Sequence, residues 1–157
     1  MAKDWMTIRV SLLGGGGIEC DPPPGRIMLV GPLHTFGELA EAIDAAFARW
    51  DLSHLHMFEL NDGRMVSGDV EEWNEEIDDE TELVVASTVA VGDTFLYVFD
   101  LGDDWRHDCQ VIESLDPVEV YGEIPVEPRP VPVWGWGWIP DQYGRRTEDD
   151  GGDAPEE

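Results

Sequence analysis

Phe95-Leu-Tyr-Val-Phe-Asp-Leu-Gly-Asp-Asp-Trp-Arg-His-Asp-Cys-Gln-Val-Ile-Glu113 reads as a hairpin, and the neighbouring segments can be placed around it. Phe95 to Phe99 is aromatic or aliphatic on both faces, the pattern of a strand covered from both sides. From Trp105 the pattern alternates: Trp105, His107, Cys109 and Val111 point one way, and Arg106, Asp108 and Gln110 the other. Leu101-Gly-Asp-Asp104 between them is a short reversal, with Gly102 free to adopt a positive φ. A tryptophan and a histidine therefore lie on the inward face beside a cluster of aspartates.

Upstream, Trp5 to Leu13 alternates well enough for an opening strand. Gly14-Gly-Gly-Gly17 then breaks it as a flexible turn. No Gly-Lys-Ser/Thr and no helix start follows, so a phosphate-loop reading fails. Pro22-Pro-Pro24 is a stiff connector, and Arg26 to Val30 is a second strand pairing back on the first. Thr35-Phe-Gly-Glu38 has the spacing of a capping box. Phe36, Leu39, Ala40, Ile43, Ala46, Phe47 and Trp50 then recur at helical spacing, with Glu38, Glu41, Asp44 and Arg49 off that stripe. In Asp51 to Leu60, His54, His56, Phe58 and Leu60 share a face if the segment is extended. Asn61-Asp-Gly63 is a turn signature. The acidic run from Asp69 to Glu82 reads as a solvated loop, and Leu83 to Ala86 as a strand.

After Asp116 the composition changes. Prolines at 117, 125, 128, 130, 132 and 140 exclude helices and favour extended or edge conformations. Among them stands Val133-Trp-Gly-Trp-Gly-Trp-Ile139; extended, it puts Trp134, Trp136 and Trp138 on one face and Gly135 and Gly137 on the other, where another backbone could approach closely. These signals predict a single α+β domain over residues 1–146, mainly an antiparallel sheet covered by one main helix, with a grasp-like start as one option. Residues 116–146 form a Pro/Trp-rich extension of that domain, and residues 147–157 an acidic tail whose composition favours disorder.

With 157 residues the chain is one domain by length and can bury about two-thirds of its unfolded surface. Acidic residues number 35 against nine basic ones, a formal net charge of −26. Such a charge repels phosphate backbones and anionic membranes, which argues against direct nucleic-acid or membrane binding. The same charge suits solubility, cation binding or a basic protein partner. Cys20 and Cys109 lie far apart, and the opening Met-Ala-Lys-Asp-Trp has no secretory or anchoring character. A cytoplasmic setting with reduced thiols is the expectation.

Trp50-Asp-Leu-Ser-His-Leu-His-Met-Phe58 and Tyr97-Val-Phe-Asp-Leu-Gly-Asp-Asp-Trp-Arg-His107 resemble the two signature stretches of the plasmid pRiA4b ORF-3-like family. The resemblance covers roughly residues 5–115, with Trp50, Asp51, Ser53, His54, His56, Phe58, Tyr97, Asp100, Gly102, Asp103, Trp105 and His107 as matched positions. It implies a compact α+β domain from plasmids or transposable elements, with no settled activity; some members carry a resolvase-like transposon-passenger label. Many relatives have a Cys-Pro-Pro-Glu-Asp-like segment near the end, whereas Trp134 to Gly144 here has no cysteine. Serine recombination needs a nucleophilic serine among clustered arginines. Here Arg145-Arg146 is the only adjacent pair, so the residues do not support that chemistry.

Two kinds of site remain. His54 and His56, two apart on a strand, could join His107, Asp100 and Asp103 in a divalent-metal site. The structural reading is that these aspartates order the turn or accept from a histidine while Trp105 fills the core. Ser53 and His54 are adjacent and point apart on extended backbone, so they make no nucleophile and base. Cys109 is a small core residue with no cation beside it. No catalytic residue and no cofactor is assigned beyond that possible metal. The Trp134, Trp136 and Trp138 strip must either cover the sheet or face a partner. The leading expectation is a non-enzymatic accessory domain acting through protein contacts, in one version as a decoy for a basic DNA-binding protein. The alternative is a metal-binding module or metal-dependent enzyme.

Overall fold

The computed structural model describes residues 5–49, 55–68 and 77–140. Its frame is one sheet built from β1 (Trp5–Gly15), β2 (Ile18–Glu19), β3 (Gly25–Val30), β4 (His56–Leu60), β5 (Met65–Ser67), β6 (Asp78–Asp79), β7 (Thr94–Phe99), β8 (Trp105–Leu115) and β9 (Val131–Trp136). Helix α1 spans Phe36–Ala46 and the short α2 spans Pro117–Tyr121. The strands run in the order β6-β5-β4-β7-β8-β1-β3-β9, with β2 folded back on β1. Every pairing is antiparallel except β5 with β6. This is the α+β domain that the patterning predicts, and β9 makes the Pro/Trp-rich extension part of the same sheet.

The β7–β8 hairpin lies at the centre, and registration across it sets out rows of side chains under α1. Phe58, Tyr97, His107 and Leu12 form one row; Leu60, Phe95, Cys109 and Val10 form the next. All but Phe95 and Leu60, which are nearly so, are fully out of solvent. Phe36 of α1 meets Phe58 and Phe95 edge-on at centroid separations of 5.0 and 5.9 Å. Each large apolar side chain so buried contributes about 1.5–3 kcal/mol. The helix starts where its capping box places it: Thr35 Oγ1 accepts from the Glu38 amide, and Glu38 Oε1 from the Thr35 amide.

Several local expectations change. In the hairpin turn the positive φ falls on Asp100 (67°) and Asp104 (63°), not on Gly102. Asp100 can hold that conformation because its Oδ1 accepts from the amides of Gly102 and Asp103. Gly14 and Gly15 extend β1, so only Gly16 and Gly17 form the turn to β2. Gly15 is required by close approach: a Cβ there would stand 2.4 Å from the Trp105 ring. Leu83 to Ala86 is not a strand; a 3-10 turn occupies Val85–Ser87. A helix does form after Asp116, because Pro117 takes the first helical position, where no amide is needed, and Asp116 caps the Val118 amide.

Candidate functional site

The polar residues that face one another lie between α1 and the middle of the sheet. Asp44, expected off the helical stripe, is only 6% exposed. It sits eight residues after Phe36 and four after Ala40, on the edge of the buried row, and its Oδ1 accepts from the Tyr97 hydroxyl at 2.8 Å. Glu80, expected in a solvated acidic loop, is also buried. It follows β6, its amide donates to the Ser67 carbonyl, and its carbonyl accepts from the Gly37 amide. Its Oε1 lies 2.8 Å from His56 Nε2. Gly68 leaves room for that carboxylate, since a Cβ there would come within 2.6 Å of Oε2. A cleft of about 310 Å3 opens over Asp44, His56 and Glu80 at the first turns of α1.

Burial controls the protonation of this cluster. It pushes the Asp44 carboxyl up to about 7, against the Tyr97 hydroxyl and the nearby His56 and Arg49, which favour the anion. It holds the Tyr97 phenol well above its ordinary range. His107 is completely buried, and the same loss of hydration pulls its imidazole down to about 3. Its Nδ1 is 3.1 Å from the Tyr97 carbonyl, which can only accept, so Nδ1 carries the proton. Nε2 then offers a lone pair that finds no hydrogen-bond partner among the described residues.

His56 and His107 occupy the same face of the sheet, but the Tyr97 ring stands between them, with ring centroids 5.8 Å from His56 and 5.3 Å from His107. Asp100 turns inward to its own loop, and Asp103 lies in the same reversal. Among the described residues no three His, Cys, Asp or Glu side chains come together as a metal site. Trp50, Asp51, Ser53 and His54 lie outside the described residues, as do 69–76 and 141–157. Phe58, Tyr97 and Trp105 are core residues. Arg49, expected off the stripe, is buried too. Its guanidinium lies 4.6 Å over the Trp105 ring and donates to the Phe47 and Pro140 carbonyls. Cys109 is buried, which raises its thiol well above the reactive range.

The tryptophans sit at the far edge of the same sheet. Trp134 and Trp136 pair with Ile27 and Gly25 of β3 and share the face turned away from α1. Trp136 is flanked by Arg9, whose guanidinium lies 5.7 Å from its ring centroid. Gly135 faces the other way against the Arg26 side chain, which fills the space predicted for another backbone. Gly137, at φ 89°, ends the strand against Pro24, so Trp138 stands beyond it. Trp134 is 69% exposed, on a strand with no neighbour beyond it among the described strands.

The family model described as plasmid pRiA4b ORF-3-like protein matches residues 8–127. The chain belongs to that family. In this member of the pRiA4b ORF-3-like family the match runs past the hairpin into the connector after α2. A crystal structure of a protein of unknown function from Methanosarcina mazei Go1 is similar, with a TM-score of 0.69 and 20% identity, covering 88% of this chain and 72% of that one. At that identity the likeness speaks for the fold alone. A comparison with curated proteins gives no match. Among the described residues no helix is long and apolar enough to cross a membrane.

Proposed function

We propose that this pRiA4b ORF-3-like chain is a non-enzymatic interaction domain that holds a basic protein, in its sharpest version as a decoy for a DNA-binding protein. The observation that supports this reading most is Trp134, an indole left mostly in water on an open edge strand of an otherwise well-packed sheet. Large exposed aromatics of this kind are the residues that anchor protein contacts. The net charge of −26 selects a cationic partner and speeds its encounter. Asp44 is paired with Tyr97 and Glu80 with His56, while burial holds His107 neutral, an arrangement that suits a scaffold better than a reaction centre.

Immobilised full-length chain and its Trp134→Ala variant, each exposed to bacterial lysate at low and moderate salt, test the reading. The expected result is a basic protein retained by the parent, released by salt and retained at least about tenfold less by the variant. Retention of the same proteins by both, or of none by either, overturns the proposal. Stoichiometric divalent metal in the purified chain would instead favour a metal-binding role involving His56.

A further inference from the structure

A second surface lies between the α2–β9 connector and the sheet. Val131 and Val133 form its floor; Tyr121, Ile124 and Val126 form its wall; the groove encloses about 400 Å3. Val126 is 92% exposed and Ile124 48%, so the wall is apolar surface left in water. Two carboxylates, Glu123 and Glu127, lie along the same groove, and among the described residues the lining includes no cationic side chain. Arg129 follows in sequence but is not part of the lining.

The groove is held in shape from both sides. Gly122, at φ 87°, ends α2, with its amide bonded to the Val118 carbonyl, and sends the connector back toward β9. At the other end Val131 is fixed to Leu29 in the β3–β9 ladder. Leu29, Trp5 and Leu115 form a small core behind the floor, with Val131 and Val133 packed on it. A preformed apolar trough costs little ordering on binding.

We infer that this groove is a docking surface for a segment of a basic protein that sets an apolar side chain on Val131 and Val133 and places Lys or Arg against Glu123 and Glu127. The inference rests on the interaction-domain reading and gives it an address separate from Trp134. Charge decides the class of occupant. A second copy carries the same −26, and nucleic acids and anionic lipids are repelled as well. An apolar anchor flanked by cations satisfies both features of the trough.

Two labelled peptides test this in fluorescence anisotropy with the full chain: one alternating leucine and arginine, the other serine and arginine at the same charge. The wild-type chain is expected to bind the leucine peptide at least about tenfold more tightly. The double variant Ile124→Ser/Val126→Ser should lose that preference and retain the affinity for the serine peptide. Glu123→Gln/Glu127→Gln should weaken both peptides a few-fold. Val91→Ser, at an exposed valine outside this groove, should change neither. Equal binding of the two peptides by the wild type, binding of neither, or a preference that survives Ile124→Ser/Val126→Ser overturns the groove. A preference abolished by Trp134→Ala alone also overturns it, while leaving the interaction-domain reading intact. Failure of that reading shows separately, in the lysate capture.

Discussion

Tyr97 and Trp134 are both large aromatics with a polar hydrogen, on strands of one sheet, and their surroundings are opposite. Tyr97 is fully buried at the centre, stacked near Phe58 and His107, and its hydroxyl donates to Asp44. Trp134 is on the outermost strand with most of its ring in water. In the central region Asp44 is matched to Tyr97 and Glu80 to His56, and His107 is held neutral, because an unmatched charge there would cost several kcal/mol. At the edge, apolar surface is left exposed although folding gains nothing from it. The contrast separates residues kept for stability from residues free to serve contact.

The hardest way to break the contrast is at Trp105, which fills the core between Gly15 and Arg49. Trp105→Ala should cost about 3–5 kcal/mol in denaturant unfolding. A loss below about 1 kcal/mol would mean that the central region is not the stability centre.

Asp44 gives a sharper and smaller effect through pH. Its carboxyl binds a proton more tightly folded than unfolded, since the value rises from 3.8 to about 7. The stability it contributes is therefore full below about 3.8 and is lost as pH rises through about 7. His107 has the opposite sign: lowered from 6.5 to about 3, its contribution is full above 6.5 and is lost as pH falls through about 3. Asp44→Asn keeps an oxygen for the Tyr97 hydroxyl and removes only the first dependence. Its stability relative to the parent should climb by about 1–3 kcal/mol between pH 4 and pH 8. Parallel urea-unfolding curves across that range would show that Asp44 does not carry the proton.

The smallest expected effect is at the edge. Trp134→Ala should shift unfolding by no more than about 0.5 kcal/mol, as for exposed positions generally, while abolishing partner capture. A larger loss in a melting experiment would place Trp134 with the core rather than the contact surface.

Much of this arrangement was readable from local pattern. The alternation at Trp105, His107, Cys109 and Val111 placed those four on the covered face, and Thr35 with Glu38 marked the helix start. The polar cluster was not readable in the same way. Asp44 is one residue from Ile43 on the helix, and a hydrogen bond from a tyrosine 53 positions away helps to make its burial tolerable. Glu80 lies within an acidic run whose composition signals solvation, yet His56, 24 positions earlier, draws it inward. The one available hint was that Asp44 repeats Phe36 and Ala40 at helical spacing.

By itself the amino-acid order determined the fold class, the capped helix, the central hairpin and the overall negative charge. These follow from periodicity, turn chemistry and composition, which act over a few residues or sum over all of them. Tertiary structure alone decided that Asp44, Tyr97, His56 and Glu80 meet, that Tyr97 separates the two described histidines of the hairpin and β4, and that Trp134 stays in water. Those outcomes depend on strand order and register, which bring distant residues within a few ångströms and set the dielectric that each one feels.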